Sequence, residues 1–198
     1  MRLASLACAL MLASYTERAT ADEVIVVDRV VAVVDDPTAP RGGATTLFLS
    51  DVRARAKPIV ARMVPKPDRA QLEMLYRELT RALVNEVIVA REASALGLAV
   101  SEAEIDRGID AIAAHEQTTR AALLGAVVNQ LGMTQLDYRE EVRRRILDEK
   151  WTQERVVPRV ARPAGARDDD PRFTQAIGVE RLRVLDKLKE RYFVMVLL

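Results

Sequence analysis

The segment 82–106 constrains the fold of this chain most strongly, because it encodes the end of one helix and the start of the next. It reads ALVNEVIVAREASALGLAVSEAEID. In and before this segment, apolar residues recur at the three- and four-residue spacing of one helix face: Leu72, Leu75, Tyr76, Leu79, Ala82, Leu83, Val87 and Ala90. The pattern predicts a long amphipathic helix that begins near Asp68.

A tight corner follows this helix. Gly97 suits the left-handed conformation that ends many helices, and Leu98 is placed for the accompanying hydrophobic contact. Ser101 and Glu104 have the spacing of a capping box, in which each side chain accepts a hydrogen bond from the backbone of the other. A second helix should therefore start at Ser101 and extend to about His115.

The same signals occur again in QLGMTQLDYRE. Gly132 is expected to end a helix that begins near Thr119, and Thr134 with Asp137 should start the next one, which extends to about Val156. The sequence thus predicts a helical bundle with tight corners.

Two segments have the composition of β-strands. Residues 23–35 read EVIVVDRVVAVVD, and residues 192–198 read YFVMVLL. β-branched residues favour strands, and an apolar strand left unpaired invites aggregation. We expect a hairpin across the Pro- and Gly-rich loop 36–46, a short helix limited by Pro58, and pairing of the C-terminal strand with the N-terminal one. The expected fold is mainly α (α+β), a helical bundle with a small antiparallel sheet built from both ends of the chain.

The segments LVNEVIVAREASALGLAVSEAEIDRGIDAIA and LGMTQLDYREEVRRRIL resemble the N-terminal (core) module of the SurA family of periplasmic chaperones. In that family the C-terminal helix and strand return to this module after one or two parvulin-type prolyl isomerase domains. Here only residues 157–178 separate the predicted helices from the C-terminal segment, too few for such a domain. The resemblance implies chaperone activity in the periplasm without the isomerase domain.

The chain divides into four predicted regions. Residues 1–21 have a basic start, an apolar run and an A-x-A site, as in a secretory signal peptide cleaved after Ala21. A lipoprotein site at Cys8 is the alternative, with Ser5 where such sites usually have leucine. Residues 22–156 form the core, residues 157–178 a Pro- and Asp-rich linker, and residues 179–198 the returning helix and strand.

The sequence offers little for catalysis, so we predict no enzyme activity. His115 is the one histidine, and Cys8, the one cysteine, leaves with the signal peptide, so no paired-histidine isomerase site or Cys/His metal site is expected. Phosphate-binding glycine patterns are absent. We expect no cofactor and no stable membrane insertion. The charge is nearly balanced, with 30 Lys+Arg and 29 Asp+Glu, which disfavours nucleic acid as a partner.

The predicted function is the binding of unfolded or nascent outer-membrane and periplasmic proteins. The alternative is a scaffold subunit that docks a specific folded partner, such as a separate prolyl isomerase. A surface for varied clients uses flexible methionines and aromatic residues. The candidate client contacts are Trp151, Phe173, Met63, Met74 and Tyr138. The alternative for Trp151 is burial under the returning C-terminal helix.

Overall fold

The computed structural model describes residues 28–38, 43–163, 165, 167 and 169–198. In chain order the elements are β1 (Val30–Asp35), β2 (Thr45–Phe48), α1 (Leu49–Arg62), α2 (Arg69–Ala95), α3 (Glu102–His115), α4 (Arg120–Leu131), α5 (Gln135–Arg155), a 3-10 turn (Val157–Arg159), α6 (Pro171–Arg191) and β3 (Phe193–Val196). The predicted fold class, mainly helical with a small antiparallel sheet, is confirmed.

The sheet joins the two ends of the described chain. Its strand order is β2-β1-β3, and both pairings are antiparallel. In the pairing of β1 with β3, Asp35 lies opposite Phe193 and Ala32 opposite Val196. The predicted hairpin and the predicted pairing of the C-terminal strand are therefore confirmed. The first part of the predicted N-terminal strand, residues 23–27, lies outside the described residues.

The corner between α2 and α3 has the predicted hydrogen bonds. Gly97 has a φ of 70°, and the Leu98 N–H donates to the Ala93 carbonyl at 2.9 Å, as in a Schellman motif. The Glu104 N–H donates to Ser101 Oγ at 3.3 Å, and the Ser101 N–H donates to Glu104 Oε2 at 3.0 Å. At the second corner the Asp137 N–H donates to Thr134 Oγ1 at 3.1 Å.

Two helix boundaries differ from the prediction, and both involve proline. Helix α1 does not stop at Pro58 but continues to Arg62; Lys66 Nζ donates to the Val60 and Ala61 carbonyls near its end, both at 3.2 Å. Helix α6 begins at Pro171 rather than near residue 179. Proline fits the first helical position because its missing N–H would have no partner there. The last part of the expected linker is therefore helical.

The innermost positions of α2 also differ from the predicted face. Its buried residues are Thr80, Val84, Ile88, Val89, Glu92 and Ala93. Val84 and Ile88 pack against Val31 and Val34 of β1 in a cluster beneath the sheet. Ala82 and Ala90, which were expected to face the core, are exposed. The helical period was predicted correctly, but the buried face of α2 is rotated about the helix axis relative to the predicted face.

Two further apolar clusters connect the helices. In one, Val89 and Ala93 of α2 pack with Trp151 of α5 and with Val184 and Leu185 of α6. In the other, Ile105 and Ile109 of α3 pack with Val142 of α5. Helix α5 thus contacts α2, α3 and α6, and α1 also packs against α2.

Candidate functional site

An open cleft of about 700 Å³ lies between α1, α2 and α5. A neighbouring hollow of about 430 Å³ continues it along α2 and α5 toward α6. We call the two together the α1–α2–α5 cleft. They share the residues Leu47, Leu83, Glu86, Glu141, Arg144 and Arg145. Because three separate segments of the chain form its walls, the cleft exists only in the folded protein.

The walls of the cleft carry apolar side chains that remain accessible to solvent. They include Pro58, Ile59, Leu83, Leu131, Met133 and Tyr138. Ile59 keeps 40% of its surface exposed. Met133 adds a flexible thioether side chain, which adapts to differently shaped partners. The cleft is therefore a concave surface in which the burial of apolar groups is favourable.

A network of ion pairs fixes the floor of the cleft. Arg55 of α1 donates to Glu86 of α2 at 2.6 Å and also to Glu141 of α5. Arg144 donates to Glu141 at 2.8 Å. Burial acts to raise the pKa of Glu141, but the hydrogen bond from Arg144 and the charge of Arg55 outweigh it and hold that pKa below its ordinary value. The network therefore holds α1, α2 and α5 together beneath the apolar walls.

Some polar groups in the cleft have no such partner. Within the part of the chain that the structure describes, Arg62 and Arg145 make no ion pair, and the Tyr138 hydroxyl makes no hydrogen bond. Burial is the main cause that raises the pKa of Tyr138, so its hydroxyl keeps its proton at neutral pH. All three groups are hydrogen-bond donors available to a ligand.

The five predicted client contacts fall into three groups. Tyr138 lines the cleft. Met74 is 58% exposed on α2, and Met63 is partly exposed just after α1, but neither lines the cleft. Trp151 is fully buried beneath Val184 and Leu185; Phe173 is 3% exposed at the start of α6, and the Arg162 guanidinium lies 4.7 Å from its ring centre. In this conformation neither of these two side chains offers surface to a client.

Sequence reasoning missed several residues of the cleft. Ile59 lies beyond Pro58, where α1 was expected to end, so it was not placed on a helix. Leu83 was assigned to the core face of α2, although it is partly exposed beside the cleft. Arg144 and Arg145 lie in a charged run of α5, EEVRRR, which indicates a polar helix face rather than a cleft. Helical periodicity identifies which residues share a face, but it does not show where two faces leave a gap.

Helix α3 ends at His115, as predicted, and the His115 side chain is exposed. The described residues contain no group of three or more His, Cys, Asp or Glu side chains placed to hold a metal ion. None of the helices in the described ranges has the length and apolar character needed to cross a bilayer.

The fold and the cleft together define a class: mainly helical modules whose chain ends close on one small sheet and whose helices surround an open, partly apolar cleft. Within that class, the sequence matches the SurA N-terminal domain over residues 27–152, more than half of the chain, and the protein belongs to this family. The family is periplasmic and chaperone-like, and this domain is its non-catalytic module. No curated protein matches the chain. Helix α6 and strand β3 lie outside the matched range.

Proposed function

We propose that this protein is a periplasmic chaperone that binds unfolded outer-membrane and periplasmic proteins without catalysis, in the α1–α2–α5 cleft. The observation that supports the proposal most directly is the set of apolar side chains that α1, α2 and α5 leave accessible around one cleft. The signal peptide would be cleaved after Ala21 during export, so the active chain would begin at Asp22.

The dimensions of the cleft favour an extended chain over a folded partner. A cavity of about 700 Å³ has the size of a small-molecule pocket, so it accommodates a few side chains rather than a domain surface. Each fully buried apolar side chain contributes about 1.5–3 kcal/mol, and ordering the client opposes this gain. We expect weak, reversible binding, which suits a protein that must release its clients.

The network of Arg55, Glu86 and Glu141 supports the same function. A binding surface that serves many sequences needs a fixed frame with adaptable contacts. The ion pairs fix the frame, while Met133 and Ile59 provide contacts that tolerate different side chains. The proposal requires no cofactor and no proton transfer, because binding and release complete the cycle.

The proposal is tested by aggregation of an unfolded outer-membrane protein, followed by light scattering, with the chain from Asp22 in several-fold excess. We expect the protein to suppress aggregation and Ile59→Asp to weaken this effect at least about fivefold, since a charge in the apolar wall opposes burial. The matched control is Leu182→Asp, because Leu182 is 59% exposed on α6, outside the lining of the cleft.

Equal loss in both variants, or no suppression by the unmodified protein, would contradict the proposal. Indifference to unfolded chains together with stoichiometric capture of one folded periplasmic protein would support the scaffold alternative instead. Met63→Asp and Met74→Asp are measured in the same assay. Weaker suppression of aggregation by either variant would show that the client-binding surface extends from the cleft to that methionine.

A further inference from the structure

The carboxylates that line the cleft are all engaged within the protein. Glu86 and Glu141 accept hydrogen bonds from Arg55, and Asp148 accepts one from Arg181 at 2.6 Å. The remaining acidic groups of the lining are bound as follows: Asp51 accepts from the Phe48 N–H, Asp137 from the Thr134 N–H and hydroxyl, and Glu140 from Arg143. A cation that enters the cleft therefore meets carboxylates that already have partners.

Two of the arginines that line the cleft are not engaged in this way. Arg62 and Arg145 are exposed and make no ion pair within the described part of the chain. Arg145 borders both hollows of the cleft, and Tyr138 adds a hydroxyl donor beside it. A carboxylate on a bound chain would meet these donors without breaking any existing pair, and charge-assisted hydrogen bonds are stronger than neutral ones.

We propose that the cleft selects unfolded segments in which acidic side chains flank a short apolar run, with Arg62 and Arg145 binding the acidic groups. This inference rests on the proposed function and specifies the client chemistry for the same cleft. Electrostatic complementarity contributes to specificity more than to total affinity. The apolar walls therefore contribute most of the binding free energy, and the two arginines determine which apolar segments bind more tightly.

Binding of three short peptides tests the inference. They share one Leu-Val-Tyr-Leu core with blocked termini and the same uncharged fluorescent label, and they carry Glu, Gln or Lys on either side of the core. We expect the Glu peptide to bind about fivefold more tightly than the Lys peptide at low salt, with the Gln peptide between them, because exposed ion pairs are individually weak. Added salt should reduce the difference by screening.

Variants assign the preference to the two arginines. The double variant Arg62→Gln/Arg145→Gln should bind the three peptides equally, and Arg62→Glu/Arg145→Glu should favour the Lys peptide. The control is Arg77→Gln/Arg107→Gln, which removes the same total charge from two exposed arginines outside the cleft lining. It should keep the preference of the unmodified protein.

The results separate this inference from the proposed function. If the three peptides bind the unmodified protein equally and Ile59→Asp abolishes their binding, the charge selection is wrong and the cleft remains the client site. If the Arg77/Arg107 control loses the preference as well, the overall charge of the protein is responsible and the assignment to Arg62 and Arg145 is wrong. If no peptide binds in a manner sensitive to Ile59→Asp, the proposed function fails too.

Discussion

Glu92 is a buried carboxylate that links α2 to the C-terminal segment. It is 4% exposed, it accepts a hydrogen bond from the Tyr192 hydroxyl at 2.7 Å, and it pairs with Arg191. A buried charge is tolerated only when it is paired and hydrogen-bonded. The two partners are adjacent in sequence at the junction of α6 and β3, so one carboxylate fixes the point where the chain returns to the core.

Removal of the tyrosine hydroxyl should therefore destabilise the protein. We expect Tyr192→Phe to lower the free energy of unfolding by about 1–3 kcal/mol, since Glu92 would lose a hydrogen bond in a buried position. Urea denaturation at neutral pH measures the change. The control is Tyr76→Phe. Tyr76 packs against the cluster beneath the sheet, which also contains Tyr192, and its hydroxyl has no hydrogen bond within the described residues. Equal effects of the two substitutions would contradict the prediction.

Glu104 makes the stability of the protein depend on pH in the acid range. Hydrogen bonds from Lys150 and then from Ser101 lower the pKa of Glu104 from 4.5 to about 2. Because this carboxyl binds its proton less readily in the folded state, its contribution to stability is present above about pH 4.5 and is lost as the pH falls toward 2. Glu104→Gln should have a lower urea midpoint than the unmodified protein at neutral pH, and the gap should narrow between pH 5 and pH 2 (about the titration range).

The control for this acid dependence is Glu149→Gln. Glu149 is exposed on α5 and makes no ion pair in the described part of the chain, so its substitution should leave the acid limb of the stability curve unchanged. A gap between Glu104→Gln and the unmodified protein that stays constant with pH would contradict the assignment.

The burial of single residues was the least predictable property. Trp151 lies in a charged segment, DEKWTQER, where its own helix offers few apolar neighbours. It is buried under Val184 and Leu185 of α6 and against α2, which agrees with the alternative interpretation of burial under the returning C-terminal helix. Local periodicity does not record such a contact. For Phe173 a local signal was available, because an aspartate followed by a proline indicates a helix start.

One close contact between helices in the bundle is made at a glycine. A Cβ on residue 108 of α3 would lie 3.0 Å from Val142 Cγ1 and 3.1 Å from Ile146 Cδ1 on α5. Val142 is 3% exposed, so it has little room to move. Gly108 therefore lets α3 and α5 pack closely, even though glycine is costly inside a helix.

Two alanine substitutions separate these effects. Gly178→Ala in α6 should raise the free energy of unfolding by about 0.5–1 kcal/mol, because alanine favours helix and its Cβ would meet nothing within 4 Å. Gly108→Ala should lower it by about 1 kcal/mol, since overpacking against Val142 exceeds that gain. Urea midpoints measured under the same conditions test both. Stabilisation by Gly108→Ala would show that the helices separate without cost.

Helix boundaries marked by side-chain caps were predictable, whereas those marked by proline alone were misjudged. Ser101 with Glu104 and Thr134 with Asp137 satisfy backbone groups within three residues, so the signal is complete in the local sequence. Pro58 removes one helical hydrogen bond, but the packing of Val52 and Ala56 keeps the rest of α1 helical. That packing depends on the sheet and α2, which the sequence of α1 does not contain.

For the whole molecule, the sequence determined the fold class and the closure of the chain ends, but not the cleft. Both strand segments are apolar enough that mutual pairing was the simplest arrangement. The cleft depends on the angles among α1, α2 and α5 and on how far α1 extends past Pro58. Tyr138 was the one predicted client contact that falls within its lining; the same reasoning also selected Trp151 and Phe173, which are buried.

The C-terminal segment is part of the core, so its removal should change the stability of the rest of the protein. A chain that ends at Val160 lacks α6, which covers Trp151, and β3, which pairs with β1. We expect its tryptophan emission to shift to longer wavelength and its urea transition to lose cooperativity, because the side chains beneath α6 would face water. A separate peptide of residues 169–198, added in excess, should restore both properties.

The same peptide provides its own matched pair of controls. Leu185 is fully buried in the apolar cluster that contains Trp151, whereas Leu182 is 59% exposed on the same helix. The peptide with Leu182→Asp should still restore the tryptophan emission, and the peptide with Leu185→Asp should not, because it would place a charge in the core. A shortened chain that keeps a sharp transition and a buried tryptophan would show instead that the region up to residue 160 folds on its own. The core would then need neither α6 nor β3, and the Glu92 contacts would fix an appended segment.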